Sequence, residues 1–346
     1  MIPASQIRDQ QPPPSRWQRA LADAITDPLE LIELLGLDPA LAVQARTGAG
    51  RFPLRVPRSF VRRIRPGDPR DPLLLQVLPV LAELDETSGF SADPVQDLAS
   101  AAAPGVLQKY SGRALLIASG ACAVHCRYCF RRHFPYGDEN ASAAGWRPAI
   151  DWLARHPEIH EVILSGGDPL SLTDRRLAAL SGALERLPHL RRLRLHTRQP
   201  VVLPERVDMG LGEWIRGLKL PLVIVLHVNH PREIDAEVRS ALERLRAAGA
   251  LLFNQSVLLR EINDSVEVLA ELSEALFESR VVPYYLHVLD RVRGASHFDV
   301  PESEARALWC ALAARLPGYL LPRLTREVPG APAKVPIPVE LGRGGA

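Results

Sequence analysis

The sequence predicts an α/β fold, a parallel and barrel-like sheet of six strand-helix units that follows an N-terminal helical extension. From about residue 110 onward, short apolar runs alternate with amphipathic helical stretches, and parallel strands require helical crossovers of this kind. Before that point, prolines divide the chain into short helical segments. We therefore predict an extension, a barrel and a C-terminal segment, with the bounds 1–105, 106–320 and 321–346.

The extension contains one helix whose limits the sequence marks clearly. Asp27 is placed to cap its N-terminus, Pro28 suits the first helical position, and Gly36 follows its last residue. Several arginines then follow within a short stretch, and they form either a solvated surface or a face toward an acidic partner. These arginines are Arg55, Arg58, Arg62, Arg63 and Arg65.

The six predicted strands are short runs rich in Val, Ile and Leu. They are 114–118, 161–165, 193–197, 222–227, 251–255 and 284–289. The predicted helices have apolar residues at helical spacing. They lie near 147–156, 174–187, 205–217, 232–248, 264–279 and 302–315. Active sites of such barrels lie at the carboxyl ends of the strands, so the segment after each strand is where functional side chains are expected.

Composition excludes several classes of protein. The 346 residues carry a formal net charge of only +2, which predicts neither a nucleic-acid partner nor a membrane partner. No apolar run is long enough to cross a bilayer, and the first residues lack the apolar stretch of a signal peptide. Three of the four cysteines are clustered, which is not a disulfide framework. We therefore expect a cytoplasmic protein.

The cysteine cluster is the strongest functional signal in the chain. Cys122, Cys126 and Cys129 follow the first predicted strand with the spacing C-x3-C-x2-C. Thiolates are the preferred ligands of iron-sulfur clusters, and a complete set for four irons needs four of them. Three thiolates at this spacing can hold three irons of a cubane cluster and leave the fourth iron open for chemistry.

Two other readings of these cysteines have to be weighed. Cys126 and Cys129 alone form a C-x2-C pair that suits a redox couple, or a zinc site completed by His125 or His133. No second C-x2-C or H-x3-H pattern follows to complete a structural zinc site. The remaining cysteine, Cys310, lies in an apolar helical run, where we expect a buried free thiol.

Polar residues follow other predicted strands. The second strand ends in Ser165-Gly166-Gly167-Asp168-Pro169, where the glycines either let the backbone approach a ligand closely or form a plain turn. His227 and Gln255 end the fourth and fifth strands. Each of these two, taken singly, is better explained as an ordinary buried polar residue that has its hydrogen bonds satisfied.

The cysteine motif, with Tyr128 just before its last cysteine, resembles the signature of the radical S-adenosylmethionine (SAM) superfamily. The resemblance implies a partial (β/α)6 TIM-like barrel with a 4Fe-4S cluster whose open iron binds SAM. It also implies that Gly166, Gly167, Asp168, His227 and Gln255 lie near SAM. An electron donor such as flavodoxin or ferredoxin would then reduce the cluster, and SAM cleavage would release a 5'-deoxyadenosyl radical.

A closer resemblance extends from about residue 105 to about residue 336, to the lysine 2,3-aminomutases. It rests on several motifs besides the cysteines. They are Lys109-Tyr110-Ser-Gly-Arg113, Phe130-Arg131-Arg132-His133, His227-Val-Asn-His230-Pro, Asn254-Gln255-Ser-Val-Leu-Leu and Pro283-Tyr-Tyr. The resemblance implies a second cofactor, pyridoxal 5'-phosphate (PLP), held as a Schiff base by Lys334 in a loop rich in glycine and proline.

The same resemblance implies how the substrate, L-lysine, is held. Arg131 would bind its carboxylate, and Asp290 and Glu327 would bind its distal ammonium. Arg113 would bind the PLP phosphate, with Lys109 as a second cation nearby. The implied reaction moves the amino group from C2 to C3 and gives (R)-β-lysine. The catabolic enzymes have aspartate where this chain has Glu327, so the charge is kept and its position changes by about one methylene.

One departure narrows the resemblance. This chain has Asn263-Asp264-Ser265 where the catabolic enzymes have a cysteine that binds structural zinc, so no zinc is expected. The chain more closely resembles the branch that supplies (R)-β-lysine for elongation factor P, which implies a functional link to that factor and its β-lysine ligase. The alternatives are a catabolic or osmolyte-forming aminomutase, a related enzyme acting on glutamate, and a non-catalytic iron-sulfur electron-transfer protein that would not need Lys334.

Overall fold

The computed structural model describes residues 13–137 and 145–339. The ends of the predicted extension and of the predicted C-terminal segment, residues 1–12 and 340–346, lie outside the described residues. Among the residues described, the fold is α/β, with a ten-stranded and mostly parallel sheet. No helix in the described ranges is both long and apolar enough to cross a bilayer.

The extension consists of short helices, as predicted. They are α1 Arg16–Ala22, α2 Pro28–Leu34, α3 Ala40–Ala49, α4 Arg58–Val61 and α5 Pro72–Leu75. Helix α2 has the predicted limits, because the Asp27 carboxylate accepts a hydrogen bond from the Leu29 amide at 3.1 Å and Pro28 occupies its first position. Gly36 follows with a φ of 62°, in the left-handed region that favours glycine.

The strands are joined side by side in chain order. They are β1 Ala101–Ala103, β2 Val106–Tyr110, β3 Arg113–Ser119, β4 Glu161–Gly166, β5 Arg192–Thr197, β6 Leu222–Leu226, β7 Leu251–Val257, β8 Val282–His287, β9 Arg323–Arg326 and β10 Val335–Pro336. Strands β3 to β9 run parallel, while β1, β2 and β10 add antiparallel edges.

All six predicted strands are confirmed, and four further strands were missed. Strand β9 makes the seventh parallel strand, while β1 lies in the segment predicted as helical. The missed strands are short, and β1 is three alanines while β9 has arginine at both ends. Strands β1 and β9 lack the run of Val, Ile and Leu on which the strand prediction relied. Pairing with neighbouring strands stabilises them instead.

The six predicted helices of the barrel region are confirmed with bounds that differ by a few residues. The helices after the first parallel strand are α6 Arg147–Ala154, α7 Asp174–Leu184, α8 Gln199–Val202, α9 Met209–Gly217, α10 Ala236–Ala247, α11 Val266–Glu278 and α12 Glu302–Arg315. Helix α9 begins four residues later than predicted because Pro204–Arg206 forms a separate 3-10 turn and Asp208 caps the Leu211 amide at 3.0 Å.

The sheet separates an apolar face from a polar face. Its strands follow one another in chain order, so right-handed crossovers place the connecting helices on the same side. In β5, Leu193 and Leu195 are buried in the main apolar core with residues of α7 and α9. Successive side chains alternate across a strand, so Arg194 and His196 face the other side. The polar interior therefore results from the alternation of apolar and polar side chains along the strands.

The sheet is strongly curved. The Tyr110 hydroxyl, at the end of β2, donates to Glu327 Oε1 at 2.5 Å, just after β9. In a flat sheet, strands seven positions apart would be separated by about 30 Å. The sheet therefore curls until side chains from its two ends meet, and its polar face encloses an interior.

Glycine allows the extension to pack closely. In α3, a Cβ added at Gly48 would lie 2.2 Å from the carbonyl oxygen of Val80. Val80 directly precedes the 3-10 turn Leu81–Leu84, whose residue Glu83 contacts the cysteine loop. Close packing at Gly48 thus helps to position the segment around Val80 and Glu83 that supports this loop.

We expect Gly48→Ala to lower the free energy of unfolding by about 1–3 kcal/mol, because the added methyl group overlaps backbone. The matched control is Gly182→Ala in α7, where an added Cβ meets nothing within 4 Å. Alanine there should be neutral or stabilise by up to about 1 kcal/mol through its helix propensity. Urea unfolding followed by circular dichroism measures both. Equal effects of the two substitutions would contradict the packing described at Gly48.

Candidate active site

The cysteine loop begins directly after β3, at the carboxyl edge of the parallel strands. Cys122, Cys126 and Cys129 are partly exposed, and none of them is in a disulfide. Among the described residues, no three His, Cys, Asp or Glu side chains are placed to hold a single metal ion. A cubane cluster sets a different requirement, since each thiolate binds its own iron and the ligands surround the cluster.

The two other readings of the loop gain no support from its surroundings. The His125 ring contacts the carbonyl oxygen of Pro53 at 2.8 Å, and the His133 ring contacts that of Arg293 at 3.1 Å. Each contact occupies only one ring nitrogen and is also found in metal-bound histidines, so neither contact by itself points to zinc. Burial, together with the charge of Cys126, raises the pKa of the Cys129 thiol to about 11. A reactive redox pair needs the opposite shift.

The N-terminal extension holds the cysteine loop in place. The His125 amide donates to the carbonyl oxygen of Arg55 and the Arg127 amide to that of Gln76, both at 2.9 Å. The Arg127 guanidinium is fully buried and donates to Glu83 Oε1 at 2.8 Å. Breaking such a pair by removing one partner strands a buried charge. The loop conformation therefore depends on residues far upstream of the motif.

The glycine pair after β4 brings two backbones together. A Cβ at Gly166 would lie 2.5 Å from the Ser119 carbonyl oxygen, and a Cβ at Gly167 would lie 2.5 Å from that of Ala121. Gly166 also has a φ of 113°, which side chains rarely allow. The pair lets the end of β4 pack against the start of the cysteine loop. A contact with SAM from this segment stays a prediction.

Asp168 is buried and has its hydrogen-bonding capacity filled by the protein. Its two oxygens accept from the amides of Leu170, Arg198 and Gln199 at 3.0, 2.8 and 3.1 Å, and from the Thr197 hydroxyl at 2.8 and 2.9 Å. These contacts join the ends of β4 and β5. Asp168 therefore positions its neighbours through its carboxylate, and its contact with a cofactor stays a prediction.

One neighbour of the cysteines was missed in the sequence. Arg198, directly after β5, donates from Nη1 to Cys126 Sγ at 2.7 Å. Its Nη2 donates to Gln76 Oε1 at 2.6 Å and to Glu233 Oε2 at 2.9 Å. The only signal that would have found it is its position at the carboxyl end of a strand.

A second cluster of charges surrounds Glu327. Lys334 Nζ lies 3.0 Å from Glu327 Oε2, while Lys109 Nζ lies 3.7 Å from Oε1, the oxygen that the Tyr110 hydroxyl contacts. Burial raises the pKa of Glu327, but the charge of Lys334 and these hydrogen bonds outweigh it and leave the pKa lowered. Lys109 and Lys334, predicted from separate parts of the chain, therefore meet at the carboxylate of Glu327, which was also predicted.

Asp97 connects this cluster to Arg131 and was also missed in the sequence. Arg131 Nε donates to Asp97 Oδ2 at 2.6 Å, and Lys109 Nζ lies 2.7 Å from Asp97 Oδ1. Arg131 Nη1 donates to the Ser165 hydroxyl at 3.1 Å. Burial raises the pKa of Asp97, and the charges of Arg131 and Lys109 then lower it below its ordinary value. Asp97 belongs to the extension, outside every motif.

Asp290 follows β8 and, together with Glu327, lines a cavity of about 440 Å³. Its carboxylate has no hydrogen-bond or ion-pair partner among the described residues. Burial raises the pKa of Asp290 to about 7, although the charge of Lys334 lowers it in part. A carboxylate in this state has its binding capacity free for a cation.

Arg113 is placed beside the same cluster. Its guanidinium carbon lies 4.8 Å from the centre of the Tyr110 ring, and Tyr110 in turn contacts Glu327. Within the described ranges, Arg113 has no hydrogen-bond or ion-pair partner. An unpaired guanidinium next to Lys109 and Lys334 is suited to bind an anion such as a phosphate.

The inner face of the sheet carries neutral imidazoles. His227 stacks on Tyr128 with ring centres 5.5 Å apart, and its Nε2 is buried without a partner in the described structure. Burial lowers the pKa of His227 to about 3. His196 Nε2 is likewise buried and has no partner in the described structure, and burial lowers the pKa of His196 well below its ordinary value. Gln255 is half-buried on β7. These side chains offer hydrogen bonds to a ligand in the interior.

Comparison with known proteins places this site in a family, although no family model matches the chain. The L-lysine 2,3-aminomutase of Escherichia coli is 48% identical over 331 residues, which are 95% of this chain and 96% of that protein. The enzyme of the same name from Haemophilus influenzae is 44% identical over 328 residues, with the same coverage. The one from Clostridium subterminale is 35% identical over 279 residues, 80% of this chain and 67% of that protein.

A solved structure, the radical SAM methyltransferase from Sphaerobacter thermophilus, has a TM-score of 0.42 and 17% identity over 64% of this chain and 68% of its own. The sequence relatives define the class: the protein is an enzyme, an aminomutase. The chain belongs to the L-lysine 2,3-aminomutase family, as its motifs predicted. The alternative of a non-catalytic electron carrier is thereby set aside.

We expect Asp97→Asn to lower the free energy of unfolding by about 3 kcal/mol, because two buried cations lose their shared counter-ion. The control is Glu278→Gln, whose exposed pair with Arg239 at 3.2 Å should contribute less than about 1 kcal/mol. Because the folded pKa of Asp97 is lowered, its contribution is present above about pH 4 and is lost as the pH falls through that pKa. Urea unfolding at pH 7 and at lower pH measures this, and equal losses in both variants would refute the buried role.

Proposed function

We propose that the protein is a radical SAM and PLP-dependent lysine 2,3-aminomutase that converts L-lysine to (R)-β-lysine. One observation carries this proposal. Arg131 and the pair Asp290 and Glu327 border the same interior as Lys334, connected through Asp97 and Lys109. A substrate with a carboxylate at one end and an ammonium at the other matches a site with a cation on one side and two carboxylates on the other.

The curved sheet would then be the partial (β/α)6 barrel of radical SAM enzymes. Cys122, Cys126 and Cys129 would each ligate one iron of a 4Fe-4S cluster, since their three soft donors share one loop at the carboxyl edge of the strands. SAM would lie over the fourth iron, near Gln255 and near His227, whose buried Nε2 has no partner among the described residues.

PLP would be held by Lys334, with its phosphate on Arg113 and Lys109. The unpaired guanidinium of Arg113 and the position of Lys334 in a cluster of charged groups support this assignment. When bound, the two cofactors supply a radical that abstracts hydrogen and a pyridine ring that delocalises unpaired spin.

The residues of the chain bind and orient the substrate. Arg131 has Nε on Asp97 and Nη1 on Ser165, which leaves Nη2 without a partner among the described residues and free to bind a carboxylate. Asp290 and Glu327 hold the distal ammonium, so the carbon skeleton is fixed at both ends. Fixing both ends brings C2 and C3 to a defined position, and orientation of this kind contributes strongly to rate.

We further propose that the product serves modification of elongation factor P, together with its β-lysine ligase. The Escherichia coli and Haemophilus influenzae relatives align over nearly their whole length, at higher identity than the Clostridium subterminale enzyme. By the resemblance to the catabolic enzymes, Ser265 stands where those enzymes have a zinc-binding cysteine. Here its hydroxyl accepts from the Val268 amide at 3.3 Å and caps α11.

An anaerobic assay tests the proposed function directly. The reconstituted protein is incubated with L-lysine, SAM, PLP and a reductant, and the product is separated on a chiral column. We expect (R)-β-lysine. Formation of the S enantiomer would contradict the proposed branch, and absence of β-lysine from protein shown to hold both cofactors would contradict the reaction.

We expect Lys334→Ala to abolish covalent capture of PLP, because no other lysine amine lies in this pocket apart from Lys109, which Asp97 holds. Borohydride reduction followed by peptide mass spectrometry should find the pyridoxyl group on Lys334 in the parent protein. The matched control is Lys219→Ala, an exposed lysine before β6, which should leave the modification unchanged. Modification of another lysine at parental stoichiometry would remove Lys334 from this role.

We expect the KM for lysine to fall as the pH rises from 6 to 8. Asp290 has a pKa of about 7 and is uncharged below it, so it binds an ammonium only above that pH. Asp290→Asn should remove this pH dependence and raise KM at pH 8 by about 10- to 100-fold, as expected for loss of a charged hydrogen bond. Steady-state kinetics across this range measure both. An unchanged KM profile in the variant would exclude Asp290 from ammonium binding.

A further inference from the structure

We propose that Arg198 sets the reduction potential of the iron-sulfur cluster through the sulfur of Cys126, and that Glu233 limits this effect. The proposal rests on the proposed function only in assuming that the three cysteines hold a cluster. Arg198 does not belong to the cysteine motif and would not be a ligand. Its influence would act through a hydrogen bond and through its charge.

The contacts of Arg198 leave it little freedom. Nη1 donates to Cys126 Sγ at 2.7 Å, and Nη2 donates to Gln76 Oε1 at 2.6 Å and to Glu233 Oε2 at 2.9 Å. The guanidinium carbon lies 5.5 Å from the centre of the Phe60 ring and 5.6 Å from that of Tyr128. The residue is only 6% exposed, so water does not screen its charge.

Two buried carboxylates hold this arrangement. Asp168 accepts from the Arg198 amide at 2.8 Å and so anchors the backbone at the end of β5. Glu233 Oε1 accepts from the amides of Asn229 and His230 at 2.9 and 3.1 Å, which leaves Oε2 for the guanidinium. Neither partner can turn away to solvent. The charge of Arg198 therefore has a defined position relative to the sulfur.

The sign of the effect follows from electrostatics. Reduction transfers one electron from an external one-electron donor to the cluster and makes it more negative, with no bond broken and no proton required. A cation and a hydrogen bond at a ligand sulfur stabilise the more negative state and raise the potential. The adjacent carboxylate of Glu233 opposes the field of Arg198. Removing the two charges one at a time should thus shift the potential in opposite directions.

The test uses full-length protein, reconstituted anaerobically and titrated without SAM or lysine, with cluster signals followed by electron paramagnetic resonance. Arg198→Met should lower the reduced-to-oxidised ratio at a fixed potential by at least tenfold, which is 59 mV for one electron. Glu233→Gln should raise that ratio. Arg198→Lys, which keeps the charge, should lie between the parent and Arg198→Met. The control Arg239→Gln, an exposed residue of α10, should leave the potential unchanged.

Iron and sulfide contents measured on each variant separate loss of the cluster from a change in its potential. If Arg198→Met does not retain the cluster, the test rests on two shifts relative to the parent protein, a higher potential in Glu233→Gln and a lower potential in Arg198→Lys. Shifts of the same sign in Arg198→Met and Glu233→Gln, or no shift in either, would overturn the proposal. If the variants show these shifts but the parent protein does not convert lysine, the proposed function is refuted and this inference stands.

Discussion

The buried arginines of the cysteine loop need buried carboxylates, and the N-terminal extension supplies them. Arg127 pairs with Glu83, and Arg131 pairs with Asp97. Each pair is buried away from water, and an unpaired charge in such a buried position would cost several kcal/mol. The extension therefore cannot separate from the loop without exposing or stranding these charges. The extension has no functional motif of its own, yet it determines the position of the cysteine loop and of its arginines.

The curved sheet gives this arrangement its setting. Apolar side chains such as Leu193 and Leu195 pack under the helices, while alternate residues such as His196 face an interior closed by the contact between Tyr110 and Glu327. Neutral imidazoles and paired charges can coexist there because the main apolar core of the sheet lies on its outer face. Two centres result, the cysteine loop at the carboxyl edge and the charged cluster around Glu327.

Much of the fold was predictable because the signals were local. Six strands and the helices between them follow from the alternation of apolar runs with amphipathic stretches, and α2 follows from Asp27, Pro28 and Gly36. Strands β1 and β9 were missed because pairing with neighbours, rather than their composition, stabilises them. The sequence predicted either a close approach to a ligand or a plain turn at the glycine pair after β4. In the structure, the two glycines let the end of β4 pack against the backbone of the cysteine loop.

The sequence by itself determined the family, the cysteine spacing and the candidates Lys334, Arg131 and Asp290, because motifs preserve residue type and order along the chain. Tertiary structure alone decided their partners. Asp97 carries no signal in the sequence and Arg198 has only its position after a strand, yet each joins residues far apart in the chain through buried charges. The physical reason is that an ion pair depends on distance in space and on removal from water, and neither can be read from spacing along a chain.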